Sequence, residues 1–213
     1  MFIKKFLKER IKEKKYLPNR LIIFFILISS QVQAHTFTGM IGFYDGLSHP
    51  VLGIDHFIAM VSVGVISAQI GGRAIWSVPS TFVFMMIIGG VIGMLAEVFL
   101  TSLETALFIV VEYGIILSVI LLGLAIAIEK KISIKITIIF ICIFGLCHGS
   151  AHGMEMPWAV NPILFALGFA SGTATLHLFG VGIGSLAIKS KFSSIVLRIF
   201  GVGCAIFGFS LLI

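Results

Sequence analysis

The sequence predicts an all-α fold, a polytopic membrane bundle of six transmembrane helices behind a cleaved signal peptide. Three observations carry that prediction. Hydrophobic residues make up 59% of the 213 and charged residues 11%, whereas a soluble domain carries about 25% charged residues. The mean hydropathy of +1.16 is not spread evenly but gathered into runs close to the ~20 residues that cross a hydrocarbon layer of about 30 Å. Finally, the basic residues beyond the leader lie in or flank only alternate gaps between those runs, as they do when one side of the membrane is the cytoplasm.

Residues 1–20 hold eight Lys or Arg and form a basic leader. Leu21 to Ser30 is an apolar core short of a full span, and Val32-Gln33-Ala34 satisfies the small-residue rule at a cleavage site. Residues 1–34 are therefore read as a signal peptide and 35–213 as the membrane domain. Cleavage would leave His35 as the first residue, with its α-amine and imidazole placed to chelate together.

Six apolar runs follow, at about 51–70, 77–100, 105–128, 134–153, 160–188 and 194–213. The first opens on His49-Pro50 and carries Asp55 and His56. On a continuous helix Pro50 sits in the first turn, where its missing N–H has no partner to lose. His49 and His56 then lie two turns apart on one face, about 10 Å along the axis. The second run ends near Glu97, and the third is preceded by Glu104, with Glu112 two turns further in. The fourth closes on Cys147-His148-Gly149-Ser150-Ala151-His152-Gly153-Met154-Glu155, which puts 148, 152 and 155 in an i, i+4, i+7 stripe. The fifth is the longest and glycine-rich, so a tilted or broken helix is expected there, and it carries His177. Small residues recur every fourth position (Gly89 and Gly93, Gly145, Gly149 and Gly153, Gly168 and Gly172, Gly180 and Gly184), a spacing that lets membrane helices pack backbone to backbone.

Several classes of function are excluded. The formal charge of +6 belongs to the leader, where eight basic residues face Glu9 and Glu13; beyond it seven basic and seven acidic residues balance. A neutral membrane domain offers no footprint for nucleic acid. Cys142, Cys147 and Cys204 all lie inside apolar runs, so no disulfide framework is expected. Nothing in the pattern fixes an oligomeric state.

The chemistry gathers at the histidines. An ionisable group at membrane depth costs about 2.5–3.5 kcal/mol for an Asp on insertion scales, and residues kept there at that cost mark function. The charge pattern places the start of the first helix, the end of the fourth and the start of the fifth on the outer side, so His49, Asp55, His56, His148, His152 and Glu155 converge on one leaflet, with His177 deeper. Imidazoles at i, i+4 hold a first-row divalent ion, and nitrogen ligands suit Ni, Co, Cu and Zn. Two activities fit such a set: passage of the ion itself, or an intramembrane zinc hydrolase with Asp55 or Glu155 as general base. A metallochaperone would need ligands in the cytoplasmic loops, and those at Arg73, Lys130 and Lys189 hold no His or Cys.

These residues carry a resemblance. The chain resembles the HupE/UreJ family of bacterial nickel/cobalt permeases over essentially its whole length. His49, Pro50, Gly53, Asp55 and His56 match that family's first motif, and His148, Gly149, Ala151, His152, Gly153 and Glu155 its second. Cys147 stands where the family pattern has Phe. The resemblance implies a non-enzymatic permease of the bacterial inner membrane, serving hydrogenase or urease maturation. Its cargo would be Ni²⁺ or Co²⁺, with no permanently bound cofactor, and His49, Asp55, His56, His148, His152, Glu155 and His177 would handle the ion.

The orientation is directly testable. All seven basic residues of the membrane domain lie in, or within five residues of, alternate connections, so both ends of that domain should face away from the cytoplasm. A reporter active only in the cytoplasm should work when fused after Lys131 or Lys191 and fail after Pro157 or Ile213. Cytoplasmic activity at Ile213 would show that the count of crossings is off by one.

Overall fold

The computed structural model describes residues 42–99, 104–129, 132–156 and 160–213. The expected signal peptide and His35 lie outside the described residues. Within them the chain is all-helical: α1 (Gly42–Leu52), α2 (Ile54–Ile70), α3 (Ala74–Phe99), α4 (Glu104–Ile128), α5 (Ile134–Met154), α6 (Pro162–Ala187) and α7 (Lys191–Ser210). The last five are each long and apolar enough to cross a membrane, whereas α1 and α2 qualify only as a pair, bent by 83°.

That bend corrects the reading of a single helix from His49 through residue 70. Pro50 lies in the last turn of α1, not the first turn of a span. Its ring cannot donate to the ladder and crowds the carbonyl four residues back, so it weakens the helix where it ends. Gly53 then takes an extended conformation, φ −86° and ψ 117°, and serves as the N-cap of α2. Its carbonyl accepts the first bond of the new helix from the Phe57 N–H at 2.8 Å. The fifth run, by contrast, is unbroken: α6 is a continuous helix of 26 residues. Asn161 caps it, accepting from the Ile163 and Leu164 amides at 3.0 and 3.2 Å, and Pro162 occupies the first helical position, where it is tolerated.

The glycines of α6 are used for packing. α1 and α2 both lie along α6, α3 pairs with α5, and α4 with α7. In each pairing glycines remove the side chain at the crossing. A Cβ on Gly46 would overlap the Phe165 carbonyl, one on Gly64 the His177 carbonyl, and one on Gly89 the Leu146 carbonyl. In lipid no hydrophobic force drives helix against helix, so this close approach is what gains dispersion energy. The outward faces stay apolar. Only 28% of the α3 span is buried, and Ile87, Val91, Leu95 and Phe99 line its exposed side, a surface that only lipid or another apolar partner can cover.

Gly89→Ala should therefore destabilise the α3–α5 pair by about 1–3 kcal/mol, as overpacking does. Gly182→Ala, with nothing within 4 Å of its new Cβ, should leave stability unchanged. Thermal unfolding of the detergent-solubilised variants separates the two outcomes.

Candidate metal centre

The break at Gly53 is what builds the site. It ends α1 with His49 in its last turn and starts α2 with Asp55 and His56 in its first. Asp55 faces the unbonded amides at the start of α2, where a negative charge also meets the positive end of the helix dipole. Its Oδ1 accepts from the His56 backbone N–H at 2.9 Å and lies 3.0 Å from His56 Nδ1. A carboxylate only accepts, so Nδ1 carries the proton and Nε2 is left with a bare lone pair. A Cβ on Gly53 would come within 3.1 Å of both Asp55 Oδ1 and His56 Nδ1; glycine leaves the pair its room.

The end of α5 meets this from the other side. His148 and His152, one turn apart, are 0% and 4% exposed. The imidazoles form a row: the His148 ring centre lies 4.8 Å from that of His56, His56 lies 4.3 Å from His152, and His152 lies 4.5 Å from His49. Among the described residues His56 Nε2, His148 Nδ1 and both nitrogens of His152 are buried without a hydrogen-bond partner. His49, His152 and Glu155 each offer a ligand atom, and these three atoms lie within 4.8 Å of one another. Ligands bound about 2.1 Å from one ion stand at most about 4.2 Å apart, so a small side-chain adjustment closes the set. Glu155 caps α5 and is 43% exposed, with its Oε2 4.0 Å from His152 Nδ1. His49 and His152 each sit in the last turn of a helix, so two negative dipole ends converge here, an arrangement that favours a cation.

Aromatic rings wall the row. Phe169 packs against His152 at 4.3 Å and stacks on Phe165, and both approach His49. Phe82, fully buried on α3, stands between His148 at 5.5 Å and His177 at 5.1 Å. His177 thus belongs to a separate location beyond a phenyl ring, and both its nitrogens are buried without a hydrogen-bond partner. Of the acidic residues on the neighbouring helices, Glu112 is half-buried on α4 and near enough to interact electrostatically with Glu155, His56 and Asp55. A cavity of about 70 Å³ between α3, α5 and α6 reaches His152 past Met86, Met94 and Met156.

Comparison with known proteins meets this geometry on the same residues. The family model described as HupE / UreJ protein matches residues 23–211. The chain belongs to the HupE/UreJ family. It is 36% identical over 188 residues to Protein HupE of Rhizobium leguminosarum bv. viciae, covering 88% of this chain and 93% of that one. No solved structure matches. The HupE/UreJ match takes in both histidine segments and all seven described helices, so the broken α1–α2 pair lies inside the family region and not in an added segment.

Two neighbours of this histidine cluster were invisible in the sequence. Phe82 is one phenylalanine among twenty. Ser118 of α4 is fully buried, with its Oγ 2.9 Å from His148 Nε2. The only available signal for Ser118 was a hydroxyl in the middle of an apolar run, and Ser62 and Ser67 carry the same signal.

Proposed function

We propose that this protein is an inner-membrane permease that moves Ni²⁺ or Co²⁺ from the outer compartment into the cytoplasm for hydrogenase or urease maturation. It spans the membrane six times, with α1 and α2 together counting as one broken crossing, and both ends of the membrane domain face outward. The observation that carries this reading is the row of four imidazoles drawn from α1, α2 and α5, in which His56 Nε2, His148 Nδ1 and both His152 nitrogens are buried without a hydrogen-bond partner among the described residues. Neutral imidazoles with one carboxylate suit a borderline divalent ion. Their mixed N/O character also lets the ion leave, which a closed thiolate cage would not. Broken helices whose freed ends face an ion are a recurring way to build a membrane ion site.

In this reading His49, His152 and Glu155 receive the ion, His56 and His148 take it next, and His177 holds it beyond Phe82. Asp55 acts on the ion chiefly through His56, whose ring it orients. That commitment also counts against hydrolysis with Asp55 as general base, because its carboxylate is already engaged with an N–H pair.

Nickel uptake by cells tests it. His56→Ala and His152→Ala should each lower uptake by at least about tenfold, the scale expected when a metal site loses support. The double variant should be little worse than either single one, since residues acting as a unit give non-additive losses. Variants present in the membrane in normal amount that accumulate nickel at the parent rate would overturn the reading.

A further inference from the structure

We propose that Ser118 is a positioning residue that locks His148 in the tautomer opposite to that of His56, so that the two rings offer different nitrogens to one ion. For its consequence on metal binding the proposal rests on the permease reading; the tautomer itself does not.

The protons can be followed one by one. Ser118 Oγ lies 2.7 Å from the Ile115 carbonyl and donates to it. A hydroxyl has one proton. With that proton engaged, the contact of 2.9 Å between Oγ and His148 Nε2 can be a hydrogen bond only if Nε2 donates. Turning the hydroxyl toward the ring instead would hold two acceptor oxygens 2.7 Å apart with no proton between them. His148 Nδ1 is buried and has no hydrogen-bond partner, and a second proton there would bury an unpaired charge, which is far more costly than a neutral ring. His148 is therefore Nε2–H with a bare Nδ1.

His56 is the mirror case. Asp55 fixes the proton on Nδ1, and the buried Nε2 is bare. The two rings stand 4.8 Å apart and nearly perpendicular, at 84°. A histidine that binds a metal must be neutral and must present a lone pair, and each ring here is oriented through its other nitrogen, one by a carboxylate and one by a hydroxyl. Ser118 comes from α4 and is not itself among the ligand candidates. It acts through His148.

¹⁵N NMR of metal-free protein labelled at histidine, in lipid nanodiscs, reads the tautomer directly, with the His148 signals assigned as those lost in His148→Gln. In the parent protein His148 should be protonated at Nε2, whereas a signal showing Nδ1–H would overturn the proposal without any variant. In Ser118→Ala the Nε2–H signal should shift or split as the second tautomer becomes populated. Its affinity for Ni²⁺ alone, by calorimetry, should fall by about 10–100-fold, and Ser118→Thr should restore both. A Ser118→Ala protein with unchanged tautomer and unchanged affinity would overturn the proposal. If the parent protein shows the expected tautomer but binds no nickel, the permease reading falls and the tautomer lock stands.

Discussion

The site depends on one constraint, that imidazole nitrogens are buried with no hydrogen-bond partner among the described residues. Each buried polar atom left unsatisfied costs about 1–3 kcal/mol, and His56, His148, His152 and His177 all contain such atoms. A loose bundle would relieve that cost by letting the rings turn outward or water enter. Here the rings are trapped. α5 carries His148 and His152 on the helix that packs against α3 through glycines, and α6 carries His177 on the helix whose glycines seat α1 and α2. Backbone contact at those crossings leaves little freedom for the helices to separate, so tight packing elsewhere maintains unfavourable burial at the centre.

Glycine serves two unlike purposes in this chain. At Gly46, Gly64 and Gly89 it brings backbones together. At Gly53 it ends one helix, starts another and clears space beside the Asp55–His56 pair. The second use is the more consequential. On a straight helix His49 and His56 would lie about 10 Å apart along one axis and could not both reach His152. The 83° bend folds them to either side of it, at 4.5 and 4.3 Å. A proline in the last turn of α1 and a glycine three residues later thus convert a linear motif into a cluster.

Much of this was legible in the residues. The positions and lengths of the five long helices follow from apolar runs, because a membrane requires them to be long and continuous. The convergence of His49, His56, His148 and His152 followed from the alternation of basic loops. The break did not, since hydropathy continues across Pro50 and Gly53 and either residue alone is tolerated at the head of a helix. The glycines of the fifth run misled in the opposite direction: Gly168, Gly172, Gly180 and Gly184 loosen a helix in isolation, yet α6 stays continuous because each of them faces a partner backbone. Ser118 and Phe82 were hidden for another reason. Their contribution lies in contacts across helices, to His148 in both cases and to His177 for Phe82, and no spacing within one helix encodes such a contact.

His152 holds the pivotal place in the row. It neighbours His49 on one side and His56 on the other, and neither of its own nitrogens has a hydrogen-bond partner among the described residues. His56 and His148 are each oriented by a second group, so each offers one fixed nitrogen. His152 has no hydrogen bond of that kind among the described residues, only the Glu155 carboxylate 4.0 Å from Nδ1, so neither nitrogen is fixed. Under the permease reading this difference matters, because an ion moves only if some ligand can change which neighbours it shares. Fixed rings define the station, while a ring that can exchange its tautomer bridges from the His49–Glu155 side to the His56–His148 side. A ladder in which every imidazole was locked would bind as well but would have no step at which the ion passes on.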